Sequence, residues 1–333
     1  MTGLPNSRIV LGILALAGVV WTAAAGEPFL IQSQSPFSRL YGLPAGDDAA
    51  AVAPTGFQVR ASFDLANNSF VETRGADALV LDGETWVARF GARHGWGNGW
   101  RVAMQVPIVS HQGGVADDFI EGYHDALGLP QGDRDGRPSD QLEYRYQKDG
   151  RNWVHLADSA TGLGDVRFSM SAPLWRNKPA TRAVDAVAGV ELPTGDSDLL
   201  LGSGSTDFSL GLAACDLASL SRWNLELHGS AGILMMTTGD VLADWQEPVA
   251  GYGNFSVGWR LVDWLMPRLQ VDWHSPFFAG TGMGPLDDWA VELDSGATIF
   301  LPAGFALDLA VAEDIAVNTT PDVVFHISLR KAL

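Results

Sequence analysis

The sequence predicts an all-β fold, a transmembrane up-and-down antiparallel β-barrel of about twelve strands. Three observations predict it. The amino terminus reads as an export leader, and no later stretch is apolar enough to form a spanning helix. Segments of about ten alternating apolar and polar residues then recur along nearly the whole chain. The connections between those segments are short and long in turn.

Residues 1–25 carry one charge, Arg8, then an apolar run from Ile9 to Trp21, then Thr22-Ala23-Ala24-Ala25, which satisfies the small-x-small cleavage rule. The run is shorter than the roughly 20 residues a membrane-spanning helix needs. It is therefore expected to be a signal peptide cleaved after Ala25. With no cysteine at the cleavage point, a lipid anchor on a new amino-terminal Cys is excluded. Beyond it, charges break every apolar candidate, as Asp185 and Glu191 break Ala183 to Leu192. A chain without a spanning helix can still cross lipid as a closed barrel, because closure satisfies every backbone polar group.

Composition narrows the alternatives. The chain has 333 residues, with 39 Asp plus Glu against 21 Lys plus Arg and a formal charge of -18. Such a chain lacks the basic surface that phosphate neutralisation needs, so no nucleic-acid partner is expected. Cys215 is the single cysteine, which excludes an intramolecular disulfide and any multi-cysteine zinc or iron-sulfur site. Only 18% of residues are charged and the mean hydropathy is +0.07, a poor match to an ordinary soluble enzyme.

The alternation starts after an amino-terminal segment, 26–55, that is expected to be periplasmic or lumenal; 56–333 are expected to form the barrel. Phe57, Val59, Ala61, Phe63 and Leu65 lie on one side of the first segment, with Gln58, Arg60, Ser62 and Asp64 on the other. The same period returns at Trp86 to Phe90, Trp100 to Ile108, Val166 to Leu174, Val184 to Leu192, Phe208 to Leu212 and Leu225 to Ile233. It continues at Phe255 to Trp259, Leu269 to Trp273, Trp289 to Ile299, Phe305 to Val311 and Val323 to Leu329. An even number of strands leaves both termini on one side of the membrane.

If the first strand runs outward, the periplasmic turns are His94 to Gly99, Trp175 to Ala183, Ala218 to Arg222, Leu261 to Asp263 and Leu301 to Gly304, all short. The intervening connections are mostly longer, up to Ser110 to Gly162. A soluble sandwich has no reason to alternate in this way, whereas outer-membrane barrels do. Trp96, Trp100, Trp175, Trp223, Trp259 and Trp264 flank the short turns, and Trp273 and Trp289 lie near the opposite ends, as two interfacial girdles require. Residence in a Gram-negative outer membrane follows, with membrane lipid and the barrel-assembly machinery as partners. The final strand ends in Leu333, where an assembly signal usually has an aromatic.

Several motifs carry a family resemblance. They are Gln32-Ser-Gln-Ser-Pro-Phe37 with Tyr41-Gly-Leu-Pro44, Phe119-Ile-Glu-Gly-Tyr-His-Asp-Ala-Leu-Gly-Leu-Pro130, Gln141-Leu-Glu-Tyr-Arg-Tyr146, Gly162-Leu-Gly-Asp165, Leu192-Pro-Thr-Gly-Asp196 and Gly202-Ser-Gly-Ser-Thr-Asp207. Over nearly the entire mature chain the sequence resembles the DUF3187 family. The resemblance implies an outer-membrane-type barrel of unassigned role and supplies no catalytic residues.

Two places remain for function. The loop 110–162 is far longer than usual connections, and such loops are commonly lids. Phe119, Tyr123, His124 and Leu127 are the residues expected to form a constriction or lid there, on a short helix started by Asp117 or Asp118 and stopped at Gly128-Leu129-Pro130. The loop's hairpin, Gln141 to Leu156, turns at Asp149-Gly150; if it crosses the membrane the barrel has fourteen strands. Parity places Arg60, Arg89, Arg93, Arg101, Arg167, Asp185, Glu191, Glu226, Arg260, Arg268, Asp272, Glu292, Asp308 and Arg330 along the lumen, beside Asp64, Asp207 and Asp294. Their signs nearly balance, which points to weak selectivity or to closure by internal ion pairs.

Metal and enzyme readings are weaker. Asp133-Arg-Asp-Gly136 and Gly195-Asp-Ser-Asp198 lack a complete calcium ligand set, so no metal and no cofactor is expected. His326 and Ser328 share a strand face, as a base and a hydroxyl nucleophile would, but without an identifiable third group to orient the base. The expected function is a channel or uptake protein for a small-molecule solute. The alternative is a structural or adhesion-type barrel with a closed lumen, and an outer-membrane enzyme is a minor one.

Overall fold

The structure, a computed structural model, describes residues 26–46, 49, 56–114, 140–178, 180–315 and 319–333. Its strands are β1 (Phe57–Arg74), β2 (Asp77–Trp96), β3 (Trp100–Gln112), β4 (Glu143–Lys148), β5 (Arg151–Leu156), β6 (Ala160–Leu163), β7 (Val166–Arg176) and β8 (Arg182–Leu192). They continue as β9 (Asp207–Asp216), β10 (Leu225–Met236), β11 (Val249–Trp259), β12 (Leu265–His274), β13 (Ala290–Phe300), β14 (Phe305–Asp314) and β15 (Val323–Ala332).

Each strand of the barrel pairs antiparallel with its neighbour in the order β1-β2-β3-β7-β8 and so on to β15. The ring closes where β15 returns to β1, from Gln58 opposite Ala332 to Asn67 opposite Val323. The result is a closed 12-strand barrel with 3 extra strands, so the twelve alternating segments are the twelve wall strands. Closure leaves the twelve-strand wall without an edge, the condition for strands to cross lipid.

The extra strands explain why the hairpin in the long loop adds none to the wall. β4 pairs with β2 only at Ala78 to Asp82, beyond the stretch of β2 that pairs with β3, and β5 pairs with β4. The hairpin β4–β5 thus stands above the rim on an extension of the β1–β2 hairpin, and a fourteen-strand barrel is excluded. It turns at Asp149 and Gly150, both at positive φ, as a two-residue hairpin turn requires. β6 prolongs the β7 wall. β3 pairs with β7 at Arg101 to Gln105 and with β6 at Ile108 to His111. The switch brackets Pro107, which has no N–H to give the ladder; its carbonyl accepts the Gly164 N–H instead.

Alternation sorts the wall into two faces. Phe90, Met104, Phe168, Leu210, Phe255, Leu269 and Ile327 are exposed on the outside. Trp96, Trp100, Trp175, Trp223, Trp259 and Trp264 are exposed beside the short turns, and Trp289 at the other end. Large apolar side chains open to water would be a liability; against lipid they are the expected surface. The inside is polar, and what fills it is described next. The loop helix expected around Phe119, Tyr123, His124 and Leu127 lies outside the described residues.

Candidate functional site: the lumen and its amino-terminal stopper

Residues 26–46 run through the inside of the barrel. At the short-turn end the Gly26 N–H donates to Glu226 Oε2 at the start of β10, 2.8 Å away. Further in, the Phe29 N–H donates to Gln270 Oε1 (2.9 Å), and the Phe29 carbonyl accepts from Gln270 Nε2 (3.1 Å). One side-chain amide of β12 thus satisfies both backbone groups of a residue that has no strand partner. Phe29 and Ile31 bury their side chains against Ala66, Ala310, Ala312 and Val324, where β1, β14 and β15 turn small residues inward.

At the long-loop end the segment reverses through a 3-10 turn, Ser38–Leu40. Here Phe37, Leu40 and Tyr41 join the largest apolar cluster in the molecule, with Leu79, Tyr144, Tyr146, Leu200, Phe277 and Phe278 from loops and rim strands. Tyr41 packs against both Phe277 and Phe278, at ring separations of 5.1 and 5.7 Å. Aromatic pairs at such distances add to the burial term.

The segment then returns toward the short-turn end. The Gly42 N–H donates to Asp207 Oδ2 (2.7 Å), and Arg167 donates to the Tyr41 and Leu43 carbonyls (2.9 and 3.1 Å). A side chain at residue 42 would meet the Glu191 and Asp207 Cβ atoms at 3.0 and 3.1 Å, so a close approach explains this glycine. Ala49 lies near Ala183 and Cys215, and its carbonyl accepts from Arg101 Nη1 (3.1 Å). The path is outward, around and back, ahead of β1.

Charge holds the stopper. The Glu27 carboxylate is bonded to Arg60 and to Gln58, with Arg330 at 3.3 Å and Arg93 at 3.9 Å. Elsewhere the wall pairs with itself. Asp64 pairs with Arg89, Glu191 with Arg167, Asp308 with Arg330, Glu226 with Arg260 (3.0 Å), and Asp185 with Arg101 (2.8 Å) and Arg176 (3.1 Å). Arg268 donates to Ser256 Oγ (2.9 Å). Asp272 and Glu292 face each other across β12 and β13, with Asp294 two residues on. No arginine or lysine is ion-paired to these three among the described residues. Asp272 accepts from Gln270 Nε2 (2.7 Å).

Of the wall residues expected along the lumen, Arg60, Arg101, Asp185, Glu191, Arg268, Glu292, Asp308 and Arg330 are buried. Arg89, Arg93, Arg167, Glu226, Arg260 and Asp272 are half-buried. Small spaces remain beside the stopper, one of about 20 Å³ at Arg39 and Leu40 among them. A cavity of about 90 Å³ lies between its returning limb and the wall, lined by residues including Gln32, Gly42, Arg93, Gln105, Glu191 and Ser209. Another, of about 10 Å³, adjoins Ser33, Asp272, His274 and Glu292.

The His326 and Ser328 pair acquires the orienting carboxylate that the sequence did not reveal, because His326 Nδ1 is bonded to Asp64 across β1 and β15. It does not form a nucleophilic site. His326 Nε2 makes no hydrogen bond to Ser328 Oγ, Asp64 is also committed to Arg89, and both residues are buried in the lumen, with Phe29 beside His326. Outside the spanning strands, burial and the neighbouring Asp77 and Asp287 carboxylates push the Tyr146 hydroxyl up to about 12, so it remains a donor to the Thr281 carbonyl (2.8 Å).

The stopper is what sequence reasoning left undefined. Glu27, Phe29, Phe37, Tyr41 and Gly42 have no strand period, and only the contacts they find inside a barrel give them a role. Their signal was the Gln32 to Phe37 and Tyr41 to Pro44 motif pair, too aromatic for a solvated linker.

No curated protein matches the chain. Among solved structures, the barrel is similar to the COG4313 outer membrane channel from Pseudomonas putida F1. The TM-score is 0.57 at 11% identity, over 86% of this chain and 98% of that one. It is also similar to the NanC porin, with TM-score 0.45 at 9% identity, over 83% of this chain and 100% of that one. At 11% identity the likeness to the first of these is one of fold, a barrel of the outer-membrane type. The sequence model of DUF3187, described as a protein of unknown function, matches residues 9–333, and the chain belongs to that family.

Proposed function

We propose that the protein is a small-solute channel of the Gram-negative outer membrane, with its short turns in the periplasm and its lumen stoppered by its own residues 26–46. One observation carries the reading: none of the described backbone of that segment joins the sheet. The segment is held by side chains, carbonyl contacts and two apolar clusters, so it can leave without breaking a ladder bond of the wall. Solute would then meet Arg60, Arg93 and Arg330 on one side and Asp272 and Glu292 on the other. The similar barrel from Pseudomonas putida F1 is an outer membrane channel, which supports the reading at the level of architecture. On this reading the exported chain has lost residues 1–25, and it meets membrane lipid and the assembly machinery like other such barrels.

A second reading, a structural barrel whose lumen stays closed, is favoured by the depth at which Phe37, Leu40 and Tyr41 are buried. Planar-bilayer conductance separates the two. Wild-type protein is expected to show small or rare openings, and a barrel lacking residues 27–46 a larger steady conductance. A deletion variant that migrates as a folded barrel and conducts no better than wild type would leave the closed-barrel reading standing.

A further inference from the structure

Gly26 is buried at the short-turn mouth, closely surrounded by the ends of the Arg268, Met266 and Glu226 side chains. A Cβ there would lie 2.4 Å from Arg268 Nη2 and 2.5 Å from Met266 Sδ. Its nitrogen is 2.8 Å from Glu226 Oε2, while the other oxygen of that carboxylate takes Arg260 Nη2 at 3.0 Å. Glu226 thus offers one oxygen to a wall arginine and one to the first residue expected after the leader. Hydrolysis of the Ala25–Gly26 peptide bond by one water leaves a carboxylate on Ala25 and an ammonium on Gly26. Free α-amino groups are protonated at neutral pH.

We propose that the ammonium created at Gly26 by leader removal is the latch of the stopper, received by Glu226 as a half-buried ion pair. Processing then completes the closed state: before cleavage the nitrogen is a neutral amide, and afterwards it is a cation facing a carboxylate. A charge-assisted hydrogen bond is roughly twice as strong as a neutral one, so the same contact tightens once the cation exists. Any residue left ahead of Gly26 moves the charge by about 3.8 Å, one Cα step, out of reach of Glu226. The contact therefore reads the site of cleavage. The inference rests on the stoppered-channel reading only for its consequence for flux, since the latch is read out at the amine itself.

The test is acylation of the α-amine by an N-hydroxysuccinimide ester at pH 7, followed on the amino-terminal peptide by mass spectrometry. The sample is mature protein from outer membranes in detergent, with heat-dependent gel migration reporting the folded barrel. Wild type is expected to react at least roughly tenfold more slowly than unfolded protein, because the facing carboxylate favours the protonated, non-nucleophilic amine. Glu226→Gln and a refolded chain that keeps Ala25 should both react nearly as fast as unfolded protein. If Glu226→Gln does not fold, the Ala25-retaining chain decides. A mature terminus other than Gly26, a wild-type amine as reactive as the unfolded one, or unchanged protection in folded Glu226→Gln would each overturn the latch. Conductance of the 27–46 deletion tests the channel alone, so the two readings fail separately.

Discussion

Glu27 is one carboxylate facing the guanidiniums of Arg60, Arg93 and Arg330, and it is 5% exposed. Removing one partner of a buried ionic cluster leaves uncompensated charge and typically costs about 3–5 kcal/mol. That cost falls on the stopper, because the arginines regain water as soon as the segment departs. Glu27→Gln should therefore loosen residues 26–46 while the wall stays folded. Trypsin should cut after Arg39 in the folded variant and not in wild type, with gel migration unchanged; a variant as resistant as wild type would mean that the apolar clusters alone hold the segment. The outer face makes the opposite prediction. Met104 and Leu210 are 42% and 53% exposed in the middle of their strands, so an arginine at either should destabilise the barrel by about 2–4 kcal/mol in lipid. Ser169→Arg, beside the 90 Å³ cavity, should cost less. Urea unfolding in lipid vesicles measures all three, and equal losses would contradict the two-faced wall.

Among the elements, the wall strands were legible because each must show one face to lipid and one to the lumen, and a period of two is the sequence form of that demand. The short turns were legible for a related reason, since Trp96, Trp175 and Trp264 mark where lipid ends. Residues 26–46 were not. Gln270 supplies the bonds a strand neighbour would have supplied to Phe29, and no local pattern in either element announces that pairing. The break at Pro107 and the placing of β4–β5 on β2 also depend on partners far away in sequence. That hairpin is anchored to the rim by Tyr146, whose hydroxyl donates to Thr281 O and whose ring meets Trp245 at 5.5 Å. Tyr146→Phe keeps the ring and removes one of the two bonds to the Thr281 carbonyl, which Lys148 Nζ still reaches at 2.7 Å, a loss of about 1 kcal/mol. Amide exchange should accelerate in β4 and β5 and stay unchanged in β1 near Phe63. Acceleration throughout the barrel would mean that the hairpin supports the wall rather than decorating it.

On the scale of the whole molecule, the lumen is balanced in sign and polarised in direction. β1, β2, β3 and β7 carry Arg60, Arg89, Arg93, Arg101 and Arg167, while β12 and β13, across the ring, carry Asp272, Glu292 and Asp294 beside the single Arg268. Asp64, Asp185 and Glu191 pair with Arg89, Arg101 and Arg167, and the stopper's Glu27 with Arg60 and Arg93, whereas no such ion pairs answer the acidic trio among the described residues. Removing residues 27–46 takes away Glu27 and Arg39 together, so the net lumenal charge does not change. Selectivity follows the net field along the path, and a transverse field orients a solute more than it excludes an ion. A barrel freed of its stopper should therefore pass potassium and chloride with a permeability ratio within about threefold of unity, tilted toward potassium by the trio. Glu292→Gln in that background removes one of the unanswered charges and should move the ratio toward chloride. Reversal potentials in a potassium chloride gradient measure both, and a strongly anion-selective pore, or a ratio indifferent to Glu292, would show that the solute path avoids the β12–β13 wall.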